Sequence, residues 1–248
     1  MVTFGKLGLH GRFGNQLFQV ASTIGIARKR GYEVAFPQWV NHDAANRFGS
    51  KEDVNVHEWF PNWEHYKRCN PEGMYEYYIH WGWHGFEVPD GVSILGHMQS
   101  ELYFEHCADE IRGLFTMKNE PERIPYTAVH IRMGDYGGSY HPVCSFDYYV
   151  QAFRVVKGPY MVFSDEPQKA WDMLKPLLGP SDILFHGDTR YSFSRMKRCK
   201  SHIIANSTFS WWAAWLADDE VVAPRQWFGP DAAYLDTTHL YPKTWTVV

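Results

Sequence analysis

Polar residues with phosphate-binding chemistry stand at the ends of four apolar segments in the second half of the chain. These ends are His130-Ile131-Arg132, Ser164-Asp165-Glu166, His186-Gly187-Asp188 and Asn206-Ser207-Thr208. An arginine can hold a phosphate through two parallel hydrogen bonds, and a helix start rich in hydroxyl groups offers free backbone N–H groups to an anion. Together, these residues predict a cradle for a diphosphate.

Each of these residues also has a purely structural interpretation when it is taken alone. Ser207 or Thr208 can serve as a helix N-cap, Asp165 can cap a helix as well, and Arg132 can form a surface ion pair. Their joint placement at successive strand ends favours a ligand site, because ligands bind beyond the carboxyl ends of the strands in parallel sheets.

The segments that position these residues alternate regularly between strand and helix. The predicted strands cover 127–131, 160–163, 183–185, 202–205 and 221–223, and the predicted helices cover 146–156, 168–178, 192–198 and 209–216. Ser145 is expected to cap the first of these helices, and Pro167 stands in the first turn of the second. This alternation predicts an α/β protein with a parallel, doubly wound sheet in its C-terminal half.

The first forty residues predict a βαβ unit with glycines where the first strand turns into a helix. An apolar run at 2–9 precedes Gly11-Arg12-Phe13-Gly14-Asn15, after which apolar residues recur at helical spacing up to a stop at Gly31. A second strand is expected at 34–36. Further along, the pattern predicts a strand at 92–95 and a helix at 103–115.

Two features of the middle of the chain bear on its organisation. Pro121 and Pro125 punctuate the sequence, so we expect one domain over residues 1–120 and a second over 121–248. Ten aromatic residues without clear periodicity lie from Trp59 to Phe86. Within that segment we expect Trp81 and Trp83 to stack on a sugar, although core packing is the alternative.

Composition and absent motifs exclude several classes of protein. A net charge of -4 argues against a nucleic-acid partner, because binding the phosphate backbone needs a basic face. The chain lacks a signal peptide and any run of about 18 apolar residues, so we expect a soluble, cytoplasmic protein without a membrane span. The four cysteines and 13 histidines show no metal-ligand spacing. P-loop, dinucleotide-binding and nucleophile-elbow motifs are absent from the sequence.

Four motifs, taken in order along the chain, resemble those of a known enzyme family. Residues 11–19 (GRFGNQLFQ) are similar to the G-x-x-G-N-Q-x-F-Q opening of the α-1,2-fucosyltransferases, glycosyltransferase family 11. Residues 130–136 resemble its H-x-R-R-G-D-Y motif, 163–165 its F-S-D motif, and 204–212 (IANSTFSWW) its I-x-N-S-T-F-S-W-W motif. Weaker similarity at 96–101 and 223–228 extends the resemblance over almost the whole chain.

The resemblance implies a fold of the GT-B type, with two Rossmann-like domains. It further implies an inverting transferase that moves fucose from GDP-fucose to a glycan hydroxyl, such as O2 of a galactose-like residue, without a metal or another cofactor. The C-terminal domain would hold the nucleotide, and the N-terminal domain would shape the acceptor side. The missing membrane anchor of animal relatives makes the chain resemble bacterial or viral members.

The resemblance also implies roles for individual residues. Arg132 would bind the β-phosphate and Asn15 would approach the sugar and the leaving group, which makes both catalytic candidates. Asp135 is the candidate base, if the reaction uses one. The implied donor-binding residues are Arg12, Gly14, His130, Arg132, Ser164, Asp165, Asn206, Ser207, Thr208, Phe209 and Ser210.

One position departs from the family pattern. The second arginine of the H-x-R-R-G-D-Y motif is Met133 here, so one positive charge is missing. This motivates an alternative hypothesis, in which the same fold uses a different nucleotide-sugar. A further alternative is a glycan-binding protein without catalysis, motivated by the aromatic segment, but such a protein has no use for a diphosphate cradle.

Overall fold

The chain folds into two compact units. The first unit comprises Met1–Lys118 and Asp236–Pro242, and the second comprises Asn119–Leu235 and Lys243–Val248. The computed structural model describes residues 1–41 and 54–248. The predicted boundary at residue 120, and the acceptor-side and nucleotide-side roles of the two domains, stay predictions.

Short parallel strands and the long helix α1 (Phe13–Arg30) form the core of the first unit. The other described strands and helix of this unit are β1 (Ala35–Phe36), β2 (Val40–Asn41), β3 (Val54–Asn55), β4 (Lys67–Arg68), β5 (Tyr75–Tyr78), β6 (Val92–Leu95) and α2 (Ala108–Leu114). β1 pairs with β4 and β5 with β6, both in parallel. Val2 bridges Val34 and Thr3 bridges Ser93, so the N-terminal segment lies between β1 and β6. Strands added on both sides of the first one are typical of a Rossmann-like sheet.

The strand expected at the start of the chain and the helix expected over 103–115 are both shorter than predicted. Extended pairing at the start of the chain stops after Thr3, because Leu7 N–H bonds the Phe4 carbonyl and the segment 5–9 turns back on itself. The helix expected over 103–115 is α-helical only in α2 and is preceded by two short 3₁₀ segments. Local turn hydrogen bonds replace the regular pattern in both places.

A six-stranded parallel sheet forms the second unit. Its elements are β7 (Ile124–Ile131), α3 (Phe146–Val155), β8 (Tyr160–Ser164), α4 (Pro167–Leu174), β9 (Ile183–Leu184), α5 (Thr189–Lys197), β10 (Cys199–Ile203), α6 (Thr208–Ala217), β11 (Glu220–Ala223) and β12 (Thr246–Val247). The strand order is β12-β11-β10-β7-β8-β9. The predicted α/β class and the doubly wound parallel sheet of the C-terminal half are confirmed.

The sheet is covered on both faces, which explains why its strands read as nearly continuous apolar runs. Val129 and Ile131 of β7 and Val162 of β8 are fully buried in one hydrophobic cluster with Tyr149 and Ala152 of α3. The predicted start of α3 is correct, because the Ser145 hydroxyl accepts the Tyr148 N–H at 3.2 Å.

The order of the strands places the polar loop after β7 next to the polar loop after β10. From β7, the strands β8 and β9 are added on one side, and β10, β11 and β12 are added on the other. The strand order therefore reverses between β7 and β10, and ligands of open α/β sheets bind in the crevice at such a reversal. Two adjacent tyrosines of α3 fix the strand ends there. Tyr148 donates from its hydroxyl to the Ile204 carbonyl at 2.6 Å, and Tyr149 to the His130 carbonyl at 2.9 Å.

Candidate active site

The loop after β7 is fixed by the carboxylate of Asp165, which stands at the end of the neighbouring strand β8. Asp165 Oδ1 accepts the Met133 N–H at 2.9 Å, and Oδ2 accepts the Gly134 N–H at 2.9 Å. Arg132 Nη1 lies 3.1 Å from the same Oδ2. One carboxylate therefore binds three consecutive residues of the loop, so Asp165 positions Arg132.

Arg132 carries the positive charge of the site. Its Nη2 donates to Asp135 Oδ1 at 2.5 Å, and its Cζ lies 5.7 Å from the centre of the Tyr136 ring. A guanidinium has five N–H donors, and the two carboxylates use two of them. The side chain is 21% exposed, so it can bind further anionic oxygens while its orientation is fixed.

His130 sits in the same strand end as a neutral, buried imidazole. The residue is 5% exposed, and its Nδ1 has no hydrogen-bond partner. Burial lowers the pKa of His130 to about 4, while the charge of Asp165 opposes that shift. Its ring lies 5.7 Å from the ring of Phe209 in the first turn of α6.

Helix α6 starts without a side-chain cap. Ser207 occupies the N-cap position, but its hydroxyl makes no capping hydrogen bond, which departs from the structural interpretation of this residue. The Ser210 hydroxyl donates back to the Ser207 carbonyl at 3.2 Å. The backbone N–H groups in the first turn of α6, which begins at Thr208, are therefore available to bind an anion.

Asn206 has a structural role that the sequence did not reveal. Its Nδ2 donates to the Pro142 carbonyl at 2.9 Å and to the Trp227 carbonyl at 3.0 Å. Its Oδ1 accepts from the Cys144 thiol at 3.3 Å. Both amide hydrogens are used, so the Asn206 side chain holds the loop before α6 in place, and its donor-binding role stays a prediction.

Ser164 is also used locally. Its hydroxyl accepts the Glu166 N–H at 3.1 Å, which shapes the turn from β8 into α4. The structure therefore brings Arg132, Asp135 and Asp165 into direct contact, and it leaves Ser164 beside them as a turn residue.

The glutamines of the GRFGNQLFQ motif fix the glycine loop of the first unit. Gln16 Nε2 donates to the Gly11 carbonyl at 2.7 Å, and Gln19 Nε2 to the His10 carbonyl at 2.6 Å. Arg12 occupies the N-cap position of α1, and Gly14 is buried in its first turn. The motif therefore encodes the geometry of this loop.

The two candidate tryptophans differ in their surroundings. Trp83 packs edge-on against the fully buried Tyr103, with ring centres 4.5 Å apart, and against Phe86 at 4.9 Å. Trp81 lies on the ring of His97 with centres 5.6 Å apart. Both side chains are half-buried, so the stacking role expected of Trp81 and Trp83 stays a prediction.

Met133, the departure from the family pattern, does not face the polar site. Its side chain packs against the hydrophobic cluster of β7, β8 and α3. Position 133 therefore carries an apolar side chain that packs against the hydrophobic cluster, and it supplies no positive charge.

The described residues contain neither a metal-binding cluster nor a membrane-spanning helix. Within ranges 1–41 and 54–248, no three His, Cys, Asp or Glu residues cluster in a way that could hold a metal ion. Over the same ranges, no helix has both the length and the apolarity needed to cross a membrane. A cavity of about 500 Å³ in the first unit contains Arg28, Tyr66 and Glu110 but none of the predicted site residues.

Fold and site together define a class of protein. Rossmann-like sheets, a fixed arginine and an uncapped helix start at the reversal of strand order are the features of a protein that binds an anionic ligand. The sequence from residue 6 to residue 248 matches Glycosyl transferase family 11. The chain belongs to this family, and the resemblance seen in its motifs is confirmed.

Individual relatives show how far the similarity extends. The chain is 31% identical over 180 residues to an α-1,2-colitosyltransferase of Escherichia coli, with 62% of this chain and 61% of the relative covered. It is 24% identical over 272 residues to galactoside alpha-(1,2)-fucosyltransferase 1 of Bos taurus, with 91% of this chain and 69% of the relative covered. Among solved structures, POFUT1 in complex with GDP has a TM-score of 0.48 and 13% identity, over 88% of this chain and 94% of that one.

The chain spans about three fifths of the length of this colitosyltransferase and of the O-antigen biosynthesis glycosyltransferase WbnK of Escherichia coli, with 61% and 57% of them covered.

Gly134 tests the fixed loop. A Cβ built on Gly134 would lie 2.6 Å from Asp165 Oδ2, so Gly134→Ala should displace the carboxylate and weaken its bonds to the loop. We expect a loss of about 1–3 kcal/mol in the free energy of unfolding, measured with urea. Gly138→Ala is the matched control, because nothing lies within 4 Å of its Cβ. Equal stability of the two variants would show that the loop is not held by Asp165.

Two buried histidines predict a loss of stability in acid. Burial lowers the pKa of both His130 and His202 to about 4, below an ordinary value of 6.5. Between these values the unfolded chain binds protons that the folded chain cannot bind, so stability falls as the pH drops from 6.5 to 4. The loss approaches about 3 kcal/mol per histidine. His130→Gln and His202→Gln should each flatten this part of a urea-unfolding series, and unchanged slopes would contradict the assignment.

Proposed function

We propose that this protein transfers fucose from GDP-fucose to a glycan hydroxyl, with inversion and without a metal ion. The observation that carries the proposal is the fixed Arg132 next to the uncapped start of α6, at the reversal of strand order. Family membership supports the reaction class. The names of the relatives, an α-1,2-colitosyltransferase and a galactoside alpha-(1,2)-fucosyltransferase, support an α-1,2 linkage to a galactose-like acceptor.

The chemistry requires stabilisation of a leaving group. Breaking the bond between sugar and phosphate builds positive charge on the sugar and negative charge on the β-phosphate. An arginine and backbone N–H groups can stabilise that negative charge when they are already in place. Arg132 meets this requirement because Asp165 and Asp135 hold its guanidinium, and the first turn of α6 supplies the N–H groups.

His130 lies at the same strand end as a neutral, buried group. Because its pKa is lowered to about 4 by burial, it carries no charge at neutral pH. As a neutral group it does not repel the neighbouring Arg132, and its Nδ1 is buried without a hydrogen-bond partner. Phe209, whose ring lies next to it, adds an apolar surface at the helix start.

Asp135 is poorly suited to act as a base. One oxygen of its carboxylate already accepts a hydrogen bond from Arg132 at 2.5 Å, so that oxygen is occupied within the protein. We propose that the acceptor hydroxyl loses its proton late in the reaction, so that a strong base is not required. Asp135 then has the role of holding Arg132, and Arg12 and Asn15 remain proposed contacts of the sugar.

A different donor sugar is the second candidate. The name of the α-1,2-colitosyltransferase shows that a relative within the family transfers another sugar. Turnover measured with GDP-fucose, GDP-colitose, GDP-mannose and UDP-galactose separates the two candidates. Fastest transfer from a sugar nucleotide other than GDP-fucose would overturn the fucose assignment and keep the reaction class.

Arg132 should act mainly on the rate of the chemical step. Arg132→Ala removes a donor that binds the leaving charge most strongly in the transition state, so kcat should fall by about 10²–10³. Arg132→Lys keeps the charge but not the planar group, and it should recover only part of the loss. Arg154→Ala, an exposed position on α3, serves as the control. A folded Arg132→Ala protein with an unchanged kcat would remove the basis of the proposal.

Metal independence can be tested directly. Transfer should continue at its full rate in excess EDTA, because protein groups neutralise the leaving charge. The rate is measured before and after chelation and again with added Mg²⁺ or Mn²⁺. Loss of activity in EDTA that either ion restores would show that the charge is neutralised by a metal.

The two tryptophans should separate acceptor binding from folding. Trp81→Ala should raise the KM for the acceptor, with a loss of about 1–2 kcal/mol for one aromatic stack, and leave the KM for the donor nearly unchanged. Trp83→Ala should instead lower the free energy of unfolding, because its ring packs on Tyr103. Acceptor KM and thermal unfolding are measured for both. The assignment fails if Trp83→Ala alone affects the acceptor.

A further inference from the structure

Gln99 and Asn15 meet at one edge of the first unit. Asn15 lies in the first turn of α1, after the N-terminal strand segment, and Gln99 lies in the loop after β6. These two strand segments are neighbours, because Thr3 bridges Ser93 in parallel. Their carboxyl ends therefore open to the same side, where ligands bind in sheets of this kind.

The hydrogen bond between the two amides has a defined direction. Gln99 Nε2 donates to Asn15 Oδ1 at 2.8 Å. The carbonyl oxygen of Asn15 is thereby occupied, and its NH₂ group is the part that remains. No acceptor within residues 1–41 and 54–248 bonds that NH₂ group, and Asn15 is only partly buried, so the group is open to a ligand.

Gly11 leaves the space that the Asn15 amide occupies. The residue has a φ of +77°, and a Cβ there would lie 2.7 Å from Asn15 Nδ2. A side chain at position 11 would displace the Asn15 amide. The glycine loop of the motif, which Gln16 holds by its carbonyl, is therefore shaped around the Asn15 side chain.

The arrangement leaves one polar atom of Gln99 unsatisfied. Gln99 is 5% exposed, and its Oε1 is buried without a hydrogen-bond partner. A buried carbonyl of this kind is unfavourable for stability. Rotating both amides would preserve the bond between the residues but would turn the Asn15 carbonyl outward. The direction of the bond therefore decides whether Asn15 offers a donor or an acceptor.

We propose that Gln99 is a positioning residue for the transfer reaction, one that turns the NH₂ group of Asn15 toward the substrate. The proposal rests on the proposed function. A ligand atom opposite an NH₂ group must be a hydrogen-bond acceptor. A phosphate or sugar oxygen of the nucleotide-sugar and a hydroxyl oxygen of the acceptor both meet this requirement, and the kinetic measurements below distinguish them.

The first test compares Gln99→Met with Gln99→Glu. Methionine fills the space without a hydrogen bond, so the Asn15 amide rotates freely and kcat should fall by about tenfold. A glutamate carboxylate only accepts, so Asn15 must turn its NH₂ group inward and present its carbonyl to the substrate oxygen. We expect a loss of about 10²-fold for Gln99→Glu. A merely structural hydrogen bond predicts the opposite order, because Gln99→Glu keeps that bond, and this order would overturn the proposal.

The second test changes Asn15 and does not depend on the folding of a buried glutamate. Asn15→Asp still accepts the bond from Gln99 but presents a carboxylate to the substrate, whereas Asn15→Leu loses the bond and presents no charge. We expect Asn15→Asp to be the slower enzyme, although it keeps the bond to Gln99. Asn15→Asp as active as the natural protein, or more active than Asn15→Leu, would overturn the proposal.

Two controls separate the possible sources of failure. A rise in the KM for GDP-fucose identifies a donor oxygen as the ligand atom, and a rise in the KM for the acceptor identifies an acceptor hydroxyl. The unaltered protein is assayed first for transfer from GDP-fucose. Its inactivity would contradict the proposed function, whereas an active natural protein with the reversed order of variants contradicts only the role of Gln99. Thermal unfolding is recorded for every variant.

Discussion

The site of the second unit depends on one carboxylate and the loop that it binds. Asp165 accepts hydrogen bonds from the backbone of Met133 and Gly134 and also pairs with Arg132. A surface arginine in a flexible loop would lose conformational freedom on binding a ligand, and this cost would weaken binding. Here Arg132 already loses much of this freedom during folding, because the Asp165 carboxylate at the end of β8 lies next to the loop that follows β7.

This interaction requires the rest of the sheet. β7 and β8 are paired in parallel over five residues up to the pair of Ile131 and Ser164, which sets the register of the two loops. A shift of one residue would turn the side chains to the other face of the sheet. Packing prevents such a shift, because the side chains that fill the cluster with α3 would then point to the opposite face of the sheet. Hydrophobic packing thus fixes the geometry of the polar groups above it.

The two units use the same physical device with different residues. In each unit, a side chain that follows one strand restrains a polar side chain that follows the neighbouring strand. Asp165 restrains Arg132 in the second unit, and Gln99 restrains Asn15 in the first. In both cases a glycine leaves room for the interaction, since a Cβ at Gly134 or at Gly11 would collide with the polar atoms involved.

The sequence by itself determined the α/β class, the alternation in the second half and the family, because apolar period, helix caps and short motifs are local properties. It also predicted that Arg132 and Asp165 lie close together, since both follow predicted strands, and the structure brings the two side chains into contact. It could not show that Asp165 holds a loop, that the Asn206 amide is used within the protein, or that Gln99 meets Asn15. These roles depend on strand order and register, which place residues far apart in the chain next to each other. Only the tertiary structure fixes that order, because it results from the packing of all strands and helices together.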